Sequence, residues 1–468
     1  MKEIQLLKQT ALALMQGQTR AAQDPHRPGW HLAPPVGLLN DPNGFIQFAG
    51  RYHLFYQWNP LACAHGAKFW GHWSSADLLS WRHEPVALTP AEAYESHGCY
   101  SGSAVDDNGV LTLIYTGNVK FTAGRTAWQC LATLDEKGDC QKLGPVLALP
   151  EGYSGHVRDP KVWRHDGAWY MVLGAQDLAG RGKVLLLRGE TLQQWQLLGE
   201  IAGSGLNGLG DFGYMWECPD LFRLGERDVL IVCPQGLPAQ EKRWLNTFQS
   251  GYFIGALDYP QARYTHGDFQ ELDLGFEFYA PQTTLSDDGR RLMFGWMGIP
   301  DGDEFYQPTL AHGWIHQMTC PRELTLQQDR LLQRPARELQ QLRGAQRRLQ
   351  GAAQQLETLD IASAELLIAP EGALTAHFGD ALRLDYRQGE LRLSRRNLRS
   401  GQQEDRYWLG ALRQLHIFCD RSSIEIFIND GEAVMSARYF PADAPRLRLE
   451  GEAKVTLDYW RLEPGVIV

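Results

Sequence analysis

The strongest constraint on the fold of this chain is a hairpin that returns five times in its first three hundred residues. Residues 44–56 alternate apolar and polar side chains around a turn at Ala49-Gly50, the pattern of two tightly joined antiparallel strands. The pattern returns at 103–115, around Asp107-Asn108-Gly109, and at 161–173, around Asp166-Gly167. It returns again at 221–232, around Gly225-Glu226, and at 283–296, around Asp287-Asp288-Gly289. Each first strand follows a small or proline-containing step: Asp41-Pro42-Asn43-Gly44, Ser101-Gly102, Asp159-Pro160, Cys218-Pro219-Asp220 and Ala280-Pro281-Gln282. A period of roughly sixty residues is long for a propeller blade, yet radial repetition of four-stranded sheets fits the pattern best. The expected fold is therefore all-β, with a five-bladed β-propeller.

At 468 residues the chain exceeds what a single ordinary core organises, so a second domain is expected. The spacing of Ile4, Leu7, Ala11 and Leu14 predicts an N-terminal helix within residues 1–25, ahead of a propeller over 26–330. Residues 334–349 are rich in Arg, Gln, Leu and Ala without strand alternation, which predicts a helical linker over 331–352. Short alternating runs at 382–386, 390–393, 415–419, 424–428 and 447–449, with a hairpin turn at Asn429-Asp430-Gly431, predict a C-terminal β-sandwich over 353–468.

Composition removes several function classes. A net charge of −10 without any long basic run argues against a nucleic-acid partner, which would demand clustered Lys and Arg. No apolar stretch approaches the roughly 20 residues of a membrane span, and no unbroken apolar core follows a basic start as in a secretory leader. A cytoplasmic location is expected. The eight cysteines form no Cys-x-x-Cys pair, so neither a zinc cage nor a disulfide framework is indicated, and no metal or organic cofactor is called for. The 15 Trp, 17 Tyr and 18 Phe suit a small sugar ligand, although most rings in such a fold fill its core.

Three steps carry carboxylates: Asp41, Asp159 beside Arg158, and Glu217 among Tyr214, Met215, Trp216 and Cys218. Each has a plain structural explanation, as a turn residue, an ion pair and a loop charge. Together, at equivalent places in a repeat that converges on one mouth, they make the acid and nucleophile set that cleaves glycosidic bonds.

The chain resembles the β-fructofuranosidase family, the invertases and sucrose-6-phosphate hydrolases of glycoside hydrolase family 32, from about His31 to its C-terminus. The resemblance rests on Asn40-Asp41-Pro42-Asn43-Gly44, Phe55-Tyr56-Gln57, Trp70-Gly71-His72, Tyr100-Ser101-Gly102-Ser103, Arg158-Asp159-Pro160, Glu217-Cys218-Pro219-Asp220, Phe278-Tyr279-Ala280-Pro281-Gln282 and Ser422-Ser423-Ile424-Glu425-Ile426-Phe427. It implies a retaining glycosidase releasing fructose from sucrose, sucrose 6-phosphate or both through a covalent fructosyl-enzyme. Asp41 would be the nucleophile, Glu217 the general acid and then base, and Asp159 with Arg158 the clamp on fructose hydroxyls. Asn40, Gln57, Trp70, Tyr100 and Ser101 would contact sugar. Leu38-Leu39 stand where the family often has Trp-Met, and would wall the pocket without a stacking ring. Cys218 would either tune Glu217 from behind or simply pack. Retention would place the acid and nucleophile carboxyls roughly 5–5.5 Å apart.

Two rival readings are an inverting propeller glycosidase of the arabinan or xylan type and a non-catalytic sugar-binding propeller. A substrate phosphate would need a local cation, for which Lys68, Lys120, Arg125, Arg181, Lys183, Lys242 and Arg243 are candidates. Oligomeric state has no sequence signature here.

Overall fold

The computed structural model describes residues 1–465; residues 466–468, the end of the expected sandwich, lie outside the described residues. Five antiparallel sheets form a five-bladed propeller, and two six-stranded sheets form the C-terminal sandwich. The blades are built from consecutive strands, beginning with Gly37–Phe48, Arg51–Asn59, Phe69–Ser75 and Trp81–His83. The second comprises Cys99–Asp107, Val110–Phe121, Gly124–Leu134 and Cys140–Leu147, and the third Tyr153–His165, Ala168–Asp177, Gly182–Thr191 and Gln194–Gly203. The fourth runs Met215–Leu224, Arg227–Gln235, Gly251–Asp258 and Arg263–His266, and the fifth Tyr279–Leu285, Arg291–Trp296, Arg322–Gln327 and Arg330–Pro335.

The first strand of each blade touches the first strand of the next, and the fifth returns to the first, so these strands form the inner ring. A short parallel pairing of Gly37 and Leu38 with Trp314 and Ile315 adds backbone bonds at the closure. The small and proline-containing steps lie inside the inner strands, not ahead of them as the sequence suggests. Every inner strand carries a register shift there: between Leu39 and Pro42, Cys99 and Gly102, Arg158 and Lys161, Glu217 and Asp220, and Tyr279 and Gln282. A proline removes a ladder donor and is tolerated only at an edge or a bulge; these inner strands supply both. At the residue before the proline, Asp159, Cys218 and Ala280 take left-handed φ values of 68°, 49° and 51°. Such a conformation costs a non-glycine residue on the order of 1–3 kcal/mol and turns the strand sharply.

Two expectations need correction. Residues 331–352 are not a helical linker. Arg330–Pro335 is the outer strand of the fifth blade, Arg337–Leu342 is a short 3-10 turn, and Arg343–Ala352 is an exposed edge strand of the sandwich. Pairing of this last segment with Lys454–Leu462 satisfies its backbone, and tertiary pairing overrides its helical propensity. The N-terminal helix does form, over Lys2–Ala22, but its inward stripe is Leu6, Thr10, Ala13, Leu14 and Ala21, while Ile4, Leu7 and Ala11 face outward. Close approach decides this: a Cβ on Gly17 would lie 2.9 Å from Val36 Cγ1.

The sandwich sheets enclose a core of Leu, Ile, Phe and Val side chains. Its seam with the propeller joins an apolar cluster around Trp30, Phe418 and Phe427 to a buried polar network. Asp420 accepts from the backbone N–H groups of Gly29, Trp30 and His31 and from His31 Nδ1 at 2.8 Å. Glu425 accepts from His31 Nε2 at 2.7 Å and Arg322 Nη2 at 2.9 Å, and Arg322 also reaches Asp273 at 3.2 Å. Burial alone would lower the His31 pKa, but the two carboxylates outweigh it and hold the ring charged, raising its pKa to about 9.

The folded state thus binds this proton more tightly than the unfolded chain does. Its stabilisation is present below the ordinary value of 6.5 and is lost as pH rises through about 9. The melting temperature should decline across that window, and His31→Gln should melt lower with a flatter profile there. Equal slopes for the two proteins would contradict a charged His31 at the seam.

Candidate active site

Each bulge brings two successive residues to the axis. Counted back from the Pro or Gly of the step, the more distant positions are Asn40, Tyr100, Arg158, Glu217 and Tyr279; the adjacent ones are Asp41, Ser101, Asp159, Cys218 and Ala280. All of these except Cys218 and Ala280 line one cavity of about 340 Å³, in the size range of small-molecule sites. Cys218 and Ala280 border a void of about 10 Å³ flanked by the five bulge steps.

The adjacent set is bonded together. Asp41 Oδ2 accepts from Ser101 Oγ at 2.6 Å and lies 3.6 Å from Cys218 Sγ, while Asn40 Nδ2 donates to Asp41 Oδ1 at 3.0 Å. Asp159 Oδ2 accepts from the Cys218 N–H at 2.9 Å and lies 3.5 Å from the same sulfur. Cys218 therefore does not sit behind Glu217; its thiol bridges the other two carboxylates. Glu217 receives Arg158 through Nε at 3.0 Å and Nη2 at 2.9 Å, Gln235 Nε2 at 2.6 Å and the Tyr279 hydroxyl at 2.7 Å.

Burial, with the Glu217 charge adding to it, raises the pKa of Asp41 despite the Ser101 and Asn40 hydrogen bonds. The same two causes push Asp159 up to about 7 against the pull of Arg158. Arg158 itself is raised, because the charges of Glu217 and Asp159 outweigh its burial. A second set of groups reaches Asp41 through Asn40: Lys68 Nζ donates to Asn40 Oδ1 at 2.5 Å and to His65 Nδ1 at 2.8 Å. His65 in turn bonds Glu304, which also meets His316 at 2.6 Å. Burial lowers Lys68 to about 7 although Asp41 and Glu304 oppose it. Four carboxylates, Asp41, Asp159, Glu217 and Asp301, and four cationic side chains, Lys68, Lys120, Arg125 and Arg158, thus line one cavity, the setting in which ionisation is most easily tuned.

Of the expected sugar contacts, Asn40, Gln57, Tyr100, Ser101 and Arg158 line the cavity. Leu38, Leu39 and Trp70 do not: each is 0% exposed. The two leucines precede the bulge and pack into the blade, and Trp70 packs on Phe55 while donating its Nε1–H to the Tyr100 carbonyl at 3.0 Å. Trp70 supports the wall without being part of it. Of the candidate phosphate ligands, Lys68, Lys120 and Arg125 reach the cavity and Arg181, Lys183, Lys242 and Arg243 do not. Lys183 is buried against the Ser204 carbonyl, and Lys242 pairs with Glu390 of the sandwich.

Sequence reasoning missed His65, Gln235, Tyr279, Trp296 and Asp301, which also line the cavity. Tyr279 carried a signal, since it holds the same place before Ala280-Pro281 that Glu217 holds before Cys218-Pro219. Gln235 and Trp296 are the cross-strand ends of the second strands, a position visible only once register is known.

The Cys218 thiol is held protonated by burial and by Asp159 and Asp41, its pKa well above the ordinary value. Only a thiolate alkylates readily. Iodoacetamide at about pH 8 should leave Cys218 unmodified in the folded protein, as read by peptide mass spectrometry; rapid labelling would contradict the bridging geometry.

Comparison with known proteins follows the same division of the chain. Residues 31–335 match the Glycosyl hydrolases family 32 N-terminal domain, and residues 386–460 match the Glycosyl hydrolases family 32 C terminal. A sucrose-6-phosphate hydrolase of Klebsiella pneumoniae is 59% identical over 458 residues, covering 97% of each chain. One of Bacillus subtilis is 48% identical, covering 90% of each. The solved structure of sucrose-6-phosphate hydrolase from Lactobacillus gasseri superposes with a TM-score of 0.89 at 31% identity, covering 97% of this chain and 96% of that one. Matches of this extent and identity leave one conclusion: the chain belongs to glycosyl hydrolase family 32.

Proposed function

We propose that this glycosidase hydrolyses the β-fructofuranosyl bond of sucrose, with sucrose 6-phosphate preferred, and that Asp41, Glu217 and Asp159 carry the reaction. The observation that carries this reading is the meeting of Asp41 and Glu217 in one cavity, with Asp159 and Arg158 between them in chain order. Relatives named for sucrose 6-phosphate supply the substrate class.

In the first step Asp41 attacks C2 of the fructosyl unit while Glu217 passes a proton to the bridging oxygen, the C2–O bond breaks and glucose or its phosphate departs. In the second, Glu217 takes a proton from water, the water oxygen bonds C2 and Asp41 is released as carboxylate. Three donated hydrogen bonds and the Arg158 charge hold the Glu217 carboxyl in place beside the cavity. Burial and the Glu217 charge push Asp159 up to about 7, so this cluster holds protons more tightly than free carboxylates do. Asp159 and Arg158 then hold fructose hydroxyls, and bonds that tighten as C2 flattens lower the barrier. The retaining reading rests on membership of family 32. Eight unpaired cysteines and a phosphorylated substrate fit a cytoplasmic enzyme.

Asp41→Asn and Glu217→Gln should each lower kcat on sucrose by at least about 10²-fold, since each removes a whole chemical role. Near-normal turnover in either variant would overturn the assignment. NMR of the nascent product should show retained configuration at C2; the opposite anomer would favour the inverting reading, and absence of product the binding reading. Separately, kcat/KM for sucrose 6-phosphate should exceed that for sucrose by at least about tenfold, the discrimination expected of one charged contact. Equal values would remove the phosphate from the substrate assignment.

A further inference from the structure

Resting on the reading that the preferred substrate is a disaccharide phosphate, we propose that Arg125 and Lys120 form its phosphate-binding site, with His156 as a positioning residue. The two cations are direct cross-strand partners on the hairpin of Val110–Phe121 and Gly124–Leu134, at the end that overhangs the cavity. Like charges placed opposite each other destabilise a hairpin. Among the described residues neither Arg125 nor Lys120 makes an ion pair within 4.0 Å, and on Arg125 the repulsion of Arg158 outweighs the more distant pull of Glu217. An anion between them would convert the repulsion into binding.

Arg125 is fixed in advance of any ligand. Its Nη2 donates to Asn118 Oδ1 at 2.7 Å, its Nη1 meets His156 Nδ1 at 3.2 Å, and the guanidinium lies 5.7 Å over the ring of Tyr100. The same His156 Nδ1 accepts from Arg158 Nη1 at 2.8 Å. Burial and the two guanidinium charges keep His156 neutral, with a pKa of about 4, so it can serve both arginines as acceptor. His156 thus ties the orientation of Arg125 to the arginine that holds Glu217. Arg125 Nε is buried and has no partner.

The other cavity cations are already committed. Arg158 is paired with Glu217, and Lys68 donates to Asn40 and His65. A phosphate monoester carries close to two negative charges at neutral pH and three acceptor oxygens, which suit a guanidinium fork and a mobile ammonium. The site lies beside Tyr100, at the cavity edge, so the phosphate would project from the departing sugar and leave fructose to the carboxylates.

The test compares kcat/KM for sucrose 6-phosphate and sucrose in the full-length protein, Arg125→Gln and Lys120→Gln. The ratio should fall at least about tenfold in Arg125→Gln and by less, in the same direction, in Lys120→Gln. Inorganic phosphate should compete with sucrose in the unaltered enzyme, and its inhibition constant should rise at least about tenfold in Arg125→Gln. Melting curves identify a variant that fails to fold, and Lys120→Gln, at an exposed position, then carries the comparison. A preference for the phosphorylated sugar that survives unchanged in both variants overturns this site while sparing the substrate reading. Equal use of both sugars by the unaltered enzyme overturns the substrate reading, and the phosphate inhibition alone then decides the site, an unchanged constant rejecting it.

Discussion

A proline has no amide hydrogen to give a sheet, and four of the five inner strands contain one within or just after the register shift. The ladder breaks there, two residues oppose one, and the strand bends toward the axis. The fifth inner strand, in the second blade, achieves the same with Ser101-Gly102, where a Cβ on the glycine would lie 1.9 Å from the Ile114 carbonyl oxygen. Because the five bends occur at one level of the ring, residues as distant as 41 and 279 end beside each other. The site is a property of the repeat, and chemistry is written onto it by choosing side chains at two positions per blade.

Those choices set the electrostatics. Asp41, Asp159 and Glu217 would repel one another in a shared, largely buried site, and the structure answers with neutral donors more than with cations. Ser101, Asn40, Cys218, Gln235 and Tyr279 each donate to, or lie against, a carboxylate, and among the described residues Arg158 alone forms a direct ion pair with one of the three. Neutral donors hold a carboxylate in place and favour its anion, as the Ser101 and Asn40 bonds do for Asp41, but less than burial opposes it. The residual repulsion appears in the raised values of Asp41 and Asp159, where burial leads and Glu217 follows. A cluster so arranged can keep a proton near neutral pH, as an acid catalyst requires.

The amino-acid sequence made the blades legible because alternation and tight turns are local signals, and it singled out Asp41, Asp159 and Glu217 because each falls at the step that opens a repeat unit. Its failures have a common physical origin in contacts distant along the chain. The Arg- and Gln-rich segment 343–352 reads as helix until its partner strand Lys454–Leu462 is known. Trp70, Leu38 and Leu39 read as pocket residues from resemblance, yet the pleat turns them into the blades. Gln235 and Trp296 enter the cavity from second strands whose register no single segment reveals. Glu425, within a motif of the resemblance, belongs to the domain seam and lies outside the cavity lining.

The central claim is that Asp41 is the carboxylate joined to the sugar while Glu217 manages protons. Glu217→Gln incubated with β-fructofuranosyl fluoride, whose leaving group needs no acid, should accumulate a fructosyl ester because the water-activating base is gone. Peptide mass spectrometry should place the added hexosyl mass on Asp41. A hexosyl group on Asp159, or turnover that leaves no adduct and releases inverted product, would contradict the account.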